Sequence, residues 1–288
     1  MSAGNLTEKA MLIDLSIGYW EGRKRDKVVS QDVITSKRAE QDAGSWWTRI
    51  VSPSMLKNIG TAVNKGRTLH HRLTLPWSDT GPRILPAAMF LKYTTEMRKI
   101  ETEYHEAVDQ FLQEYPQAVA SAETRLGDLF IADHYPTAKK LSHKFKWSIE
   151  VTPLPNAEDF RVDLGSSKTK QIRKEIESRV NETMASAMQD LWRRLYEAVN
   201  HIAERLSKEK NIFRDSLMDN VKELCDMLPK LNITDDKKLE QMRREVVRRL
   251  AKRSPNELRT NTTERKEAAT AANKILETMQ GYIGKEGQ

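Results

Sequence analysis

Three groups of side chains in this 288-residue chain could carry chemistry: cations next to aromatic rings, six histidines, and a short run of carboxylates. The cations come first by number. Arg23, Lys24, Arg25 and Lys27 follow Tyr19 and Trp20. Lys65, Arg67, His70, His71 and Arg72 flank a proline-rich segment that contains Trp77, with Trp46 and Trp47 upstream. Arg243, Arg244, Arg248, Arg249, Lys252 and Arg253 recur near the C-terminus. A basic groove with aromatic platforms holds single-stranded nucleic acid without reading its sequence, because cations meet phosphates while rings stack on bases. The bland alternative makes each tryptophan core and each basic run a solvated face. Taken singly, each cluster is better explained that way; taken together, they put nucleic acid level with it. The expected contacts are Arg67, His70, Arg72, Trp77 and Arg83, around residues 74–86, with Lys24, Arg25, Arg248 and Arg249 as a second set.

The other two groups point to less. Of His70, His71, His105, His134, His143 and His201, only the adjacent pair is close in sequence, and adjacent residues on a helix face different ways. No metal site is expected. Glu158, Asp159 and Asp163 surround a short alternating segment, and carboxylates near strands can hold Mg²⁺ in nucleases. A third carboxylate with a matching lysine cannot be placed, so turn capping and a salt bridge to Arg161 explain them more simply. No phosphate-binding G-x-x-x-x-G-K-[ST] loop, dinucleotide G-x-G-x-x-G, nucleophile elbow or H-E-x-x-H helix occurs. No catalytic residue and no cofactor is expected. The single Cys225 cannot form an internal disulfide, and its spacing with Phe213, Leu217, Val221, Leu224 and Leu228 reads as a buried helix face.

The elements that must position these residues are mainly helices. Apolar content of 38% with 31% charged residues fits amphipathic helices with solvated outer faces. The pattern predicts a mainly α fold: a long antiparallel helical hairpin with a small β-sheet of about three short strands. The strands are residues 11–20, 147–151 and 160–164. Residues 21–27 read as a polar turn. A helix follows from the Ser30 N-cap to Gly44. Residues 54–73 read as helix, weakened by Gly60 and Gly66. Residues 74–86, with three prolines and a glycine, read as an ordered loop without regular structure. A helix runs from Pro86 to about Tyr115, a second restarts at Pro116 and ends at Phe130, and a short helical piece covers 136–145.

The strongest periodicity runs from Ser167 to about Lys208. Ile172, Ile176, Val180, Met184, Met188, Leu191, Leu195, Val199, Ile202 and Leu206 recur every three or four residues. Such a helix is about 60 Å long at 1.5 Å per residue. It needs a long partner, and the helix from Pro86 is the expected one. Three more helices are expected at 212–228, closed by Pro229, at 235–253, capped by Thr234, and at 262–282. Residues 1–210 form the expected core and 211–288 a C-terminal helical region.

The net charge is +7. Lys and Arg exceed Asp and Glu by 16 to 9 over residues 1–100 and by 19 to 15 over 201–288, but fall short, 13 to 17, between. Basic ends suit nucleic acid; contacts between unlike faces of neighbouring subunits explain the same pattern, so a homo-oligomer is also expected. No leader-like apolar segment and no run of about 18 apolar residues is present. The expected setting is bacterial host cytoplasm, with no membrane partner.

Six segments, MLIDLSIGYWEGRK, TLPWSDTGPRILP, LGDLF, YPTAKKLSHKF, PLPNAEDFRVDLG and FRDSL-x-x-N, together resemble the family called domain of unknown function 3150. The resemblance extends from about Met11 to Leu258. It implies a cytoplasmic protein of tailed phages and prophages, acting in replication, recombination, packaging support or host takeover. It brings no activity and no catalytic residues. Relatives encoded near AAA+ ATPases of the MoxR type, with von Willebrand-type partners, imply an adaptor as the alternative role.

Overall fold

The computed structural model describes residues 6–78, 80–160, 162, 164–207 and 214–283. Its N-terminal elements are β1 (Ala10–Ile17), β2 (Arg23–Asp26), α1 (Lys27–Lys37), β3 (Trp46–Arg49), α2 (Lys57–Leu73), β4 (Leu75–Pro76) and β5 (Arg83–Pro86). The middle holds α3 (Phe90–Ala120), α4 (Ala122–Leu126), α5 (Ala138–Ser142), β6 (Trp147–Pro153) and α6 (Ser166–Ser207). After it come α7 (Asp215–Leu231), α8 (Lys237–Val246), α9 (Pro255–Thr260) and α10 (Thr262–Ile283). The fold is mainly helical, as its amphipathic patterning requires. The strands form an antiparallel sheet of order β4-β5-β1-β6 and a separate β2-β3 ribbon.

The chain divides into two compact units. The first joins Met1–Asp14, His71–Leu91 and Glu150–Gln288; the second joins Leu15–His70 and Lys92–Ile149. The expected boundary at residue 210 falls within the first unit. There, β1 pairs with β5 in the register Ala10↔Pro86 to Ile13↔Arg83, and β5 pairs with β4 through Leu75↔Ile84 and Pro76↔Arg83. Pro76 lacks an N–H, which suits its place on the edge strand. Gly81 takes φ +107° in the connecting turn, a conformation that side chains resist.

Along α6 the buried stripe begins at Val180 and continues through Met184, Met188, Leu191, Leu195, Val199, Ile202 and Leu206; Ile172 and Ile176 are only half-buried. The helices packed most extensively on it in its own unit are α10 and α7. The hairpin partner expected from sequence, the helix after Pro86, falls in the other unit. The expectation rested on matching lengths. What selects α10 is a stripe of small and apolar residues, Ala268, Ala272, Ile275, Leu276 and Met279, all buried.

The second unit is organised by α3 and α2. Tyr104, Val108, Phe111 and Tyr115 of α3 bury against Ile59, Ala62 and Val63 of α2, with Leu141 and Phe145 completing the core. Tyr104 donates its hydroxyl hydrogen to the Gly18 carbonyl at 2.6 Å, and Tyr115 donates to the Pro136 carbonyl at 2.9 Å. Burial pushes both phenols up to about 12.

Several local expectations are corrected. Residues 23–26 are a strand, because they pair with a segment 20 residues on that a local pattern does not reveal. Asp26, not Ser30, caps α1: its carboxylate accepts from the Val29 N–H at 3.0 Å, and the helix ends with Arg38 in the left-handed region rather than at Gly44. Residues 74–86 are not wholly irregular, since β4 and β5 occupy their ends. Phe160, Val162 and Leu164 lie in no strand, and the neighbour of β1 opposite β6 is β5 instead; Arg161 and Asp163 lie outside the described residues, as does Phe213. Asp236, not Thr234, caps α8, accepting from the Lys238 and Leu239 N–H groups.

Pro116 and Pro229 sit inside α3 and α7 rather than starting or ending helices. An interior proline costs about 3 kcal/mol. The cost is offset by buried neighbours that need the helix to continue: Met227, Leu228 and Leu231 around Pro229, and Tyr115, with half-buried Ala118 and Val119, around Pro116.

The two glycines of α2 differ. A Cβ on Gly66 would stand 2.5 Å from the Trp147 ring, whereas one on Gly60 would meet only the Tyr19 hydroxyl at 3.7 Å. Gly66→Ala is expected to destabilise the protein by about 1–3 kcal/mol through overpacking. Gly60→Ala is expected to be neutral or to stabilise by up to about 1 kcal/mol through helix propensity. Urea denaturation of both variants checks this, and equal midpoints would contradict the close packing of Trp147.

Candidate nucleic-acid interface

Residues 21–50 leave the second unit's core as a β2-α1-β3 excursion whose surface is largely open to solvent. Its organising contacts are few. The Ser30 hydroxyl donates to the Asp26 carbonyl and accepts from the Trp46 N–H at 2.9 Å, tying α1 to β3. At the base, the Ile50 N–H donates to the Gly22 carbonyl at 2.8 Å. Arg125 donates to the Arg49 carbonyl at 2.7 Å, and Tyr135 to that of Ile50 at 3.1 Å.

Register decides what this ribbon shows to solvent. Cross-strand partners share a face, and alternate residues along a strand take opposite faces. The pairs Arg23↔Arg49 and Arg25↔Trp47 therefore place three guanidinium groups and one indole on one face. All four are exposed. The opposite face carries Lys24 and Trp46, exposed, with Asp26 and Thr48, buried. Arg23 lies over the Trp47 ring at 4.9 Å, a cation–π contact, and also pairs with Glu21. Three cations beside an exposed ring are the elements of a platform for single-stranded nucleic acid.

The residues expected around 74–86 are not assembled as one group. Arg67 is exposed on the part of α2 belonging to the second unit. His70 is not a surface contact: it is 5% exposed, with Nδ1 2.8 Å from the Tyr93 hydroxyl, because it falls on the inward face of α2. Trp77 is half-buried in the first unit. Arg72 and Arg83 do come together there, lining a cleft of about 940 Å³ with Arg193, Arg194, Asp190 and Trp192 of α6. The α6 pair Arg193–Arg194 was not among the expected contacts. The signal lay beside Trp192, the residue that widens the α6 stripe.

In the C-terminal basic run each of two glutamates is shared by two arginines. Glu240 pairs with Arg243 at 2.7 Å and Arg244 at 2.8 Å, and Glu245 pairs with Arg248 and Arg249, each at 2.6 Å. Hydrogen bonds from Arg243 and Arg244 hold the Glu240 carboxyl down to about 2, and those from Arg248 and Arg249 lower Glu245. Arg253 pairs with Glu264 and Glu267 of α10. Arg248 and Arg249 thus share one counter-charge.

A family model described as Protein of unknown function (DUF3150) matches residues 7–209, more than two thirds of the chain. The chain belongs to this family. The match spans the ribbon and all of the expected contacts except Arg248 and Arg249. Neither a curated protein nor a solved structure matches the chain.

In this family member, no group of three or more His, Cys, Asp or Glu side chains is placed to hold a metal among the described residues. Glu158 and Asp159 lie in a 3₁₀ turn whose cap is Asn156 rather than either carboxylate; Arg161 and Asp163 lie outside the described residues. No described helix is long and apolar enough to cross a membrane. Cys225 is buried, and burial pushes its thiol up to about 12. Thiolate is the reactive species. Native protein at pH 8 is expected to release almost no chromophore from a disulfide reagent, and urea-unfolded protein one equivalent. Fast release from native protein would contradict the burial.

Proposed function

We propose that this protein is a non-catalytic binder of nucleic acid that grips single strands on the β2-β3 ribbon. The exposed face holding Arg23, Arg25, Arg49 and Trp47 carries the reading. Phosphates would meet the guanidinium groups and a base would stack on Trp47. The charge balance of the chain agrees, since residues 1–100 hold seven more Lys and Arg than Asp and Glu. We further propose a phage or prophage setting, with the protein serving replication or recombination of viral DNA in the host cytoplasm. Single-stranded intermediates are common to those processes.

Fluorescence anisotropy of a labelled single-stranded oligonucleotide tests this. Binding is expected at low salt, with the logarithm of affinity falling linearly with the logarithm of salt concentration. Unchanged anisotropy at low salt would remove the proposal.

A second reading is an oligomeric helical adaptor, including one that partners an AAA+ ATPase. It is favoured by α1, which leaves Val28 71% and Val33 44% exposed. Solution mass separates the two: an adaptor of this kind self-associates, and Val28→Asp dissolves the assembly. A pull-down with and without nuclease treatment then tells a nucleic-acid tether from a protein partner.

A further inference from the structure

The arginine-lined cleft belongs to the first unit and has no part in the ribbon reading. Its charges do not balance. Four guanidinium groups, Arg72, Arg83, Arg193 and Arg194, line it against two carboxylates, Asp190 and Glu197. Asp190 is already shared: its two oxygens pair with Arg193 at 2.5 Å and Arg194 at 2.7 Å. Arg72 is matched by Glu223 at 3.0 Å. Arg83 differs. Its Nε donates to the Thr74 hydroxyl at 2.7 Å, and among the described residues no carboxylate is in ion-pair contact with it.

Arg83 and Arg194 are held rather than floating. Arg194 donates to the carbonyls of Arg72 at 3.1 Å and Thr74 at 2.8 Å, so its guanidinium is fixed by backbone as well as by Asp190. Arg83 and Arg194 both bond the buried Thr74, which puts two like charges around one residue. Burial and the proximity of Arg194 lower the affinity of Arg83 for its proton; burial, then Arg83 and Arg194, lower that of His71. Also lining the cleft, the Trp192 indole N–H donates to Asp236 at 3.0 Å, and Trp192 stacks on Tyr282 with centroids 4.9 Å apart. Packing of that kind keeps the opening in shape.

We propose that this cleft binds a phosphate-bearing anion, with Arg83 and Arg193 as its main cationic contacts and Arg194 beside them. Guanidinium forks match phosphate oxygens two at a time. A polyanion entering here offsets the repulsion between Arg83 and Arg194 and meets donors fixed before it arrives. The phosphate has two possible sources, a free polyphosphate or nucleotide and the phosphorylated end of a nucleic acid strand.

Calorimetric titration of the full chain with inorganic tripolyphosphate at low salt tests the site. Binding is expected, Arg83→Gln weakens it at least tenfold, and Arg193→Gln, changed at an exposed position, weakens it at least threefold with the fold intact by circular dichroism. Trp47→Ala leaves it unchanged, which keeps a failure of the ribbon reading distinct from a failure here. Competition by a 5′-phosphorylated oligonucleotide, but not by its dephosphorylated twin, assigns the strand end as the source; no competition by either assigns the free anion. Absence of binding at millimolar tripolyphosphate overturns the proposal. So does wild-type affinity in a folded Arg193→Gln protein, including where Arg83→Gln fails to fold.

Discussion

Trp47→Ala weakens binding of a single-stranded oligonucleotide by roughly 5- to 150-fold, the loss expected when about 1–3 kcal/mol of base stacking is removed. The indole is 46% exposed and Arg23 lies over it, so the substitution removes the platform and releases the cation stacked there. The protein core is untouched, and circular dichroism should not change. Arg25→Gln and Arg49→Gln together act on the other component. Each neutralised phosphate contact is expected to lower the slope of log affinity against log salt by about 0.7 for single strands, so the double variant loses about 1.4. The matched control is Arg248→Gln with Arg249→Gln. Both arginines are paired with Glu245, and binding is expected to stay within about twofold, as for a rim contact of little net worth. A ribbon variant with wild-type affinity and slope, alongside a weakened control, would move the interface away from β2 and β3.

The second large effect concerns stability. Phe111→Ala is expected to cost about 3–5 kcal/mol. Phe111 is 1% exposed and meets Trp20, Tyr115 and Phe145 with ring centroids 5.9, 5.7 and 5.7 Å away. Removing its ring leaves a cavity bordered by three other rings that cannot all collapse into it. Native domains are stable by about 5–15 kcal/mol, so this one change consumes a large share. Leu91→Ala, at a position 78% exposed, is expected to shift stability by less than about 0.5 kcal/mol. Urea denaturation followed by tryptophan fluorescence measures both. A Phe111→Ala cost below about 1 kcal/mol would mean that the aromatic cluster does not close the core of the second unit.

Much of the helical content was legible because burial along a helix follows the 3.6-residue period. Tyr93, Met97, Tyr104, Val108 and Phe111 are buried as that period requires, and so is the α6 stripe from Val180 onward. Cys225 was equally legible as one buried position among others on α7. The failures share a cause. Pro116 and Pro229 read as breaks because proline is costly in a helix, and that local cost is outweighed only by side chains buried on both sides. Asp26 and Ser30 lie four residues apart with similar capping chemistry. Which one caps α1 depends on β3, whose Trp46 N–H takes the Ser30 hydroxyl.

The candidate sites divide in the same way. Composition and spacing by themselves set the mainly helical fold, the buried stripes and the presence of basic clusters near tryptophans, because each depends on residue type and on periods of a few residues. Charge counting along the chain did not tell a free arginine from a matched one. That was decided by pairing: Arg248 and Arg249 meet Glu245 one turn away, whereas Arg25 meets Trp47 across a strand pair 22 residues apart in sequence. Tertiary structure alone brings Arg83 to Arg194, 111 residues later, and turns His70 inward to Tyr93. The physical reason is that an ion pair or hydrogen bond depends on distances of a few ångströms. Only the folded chain sets those between residues far apart in sequence.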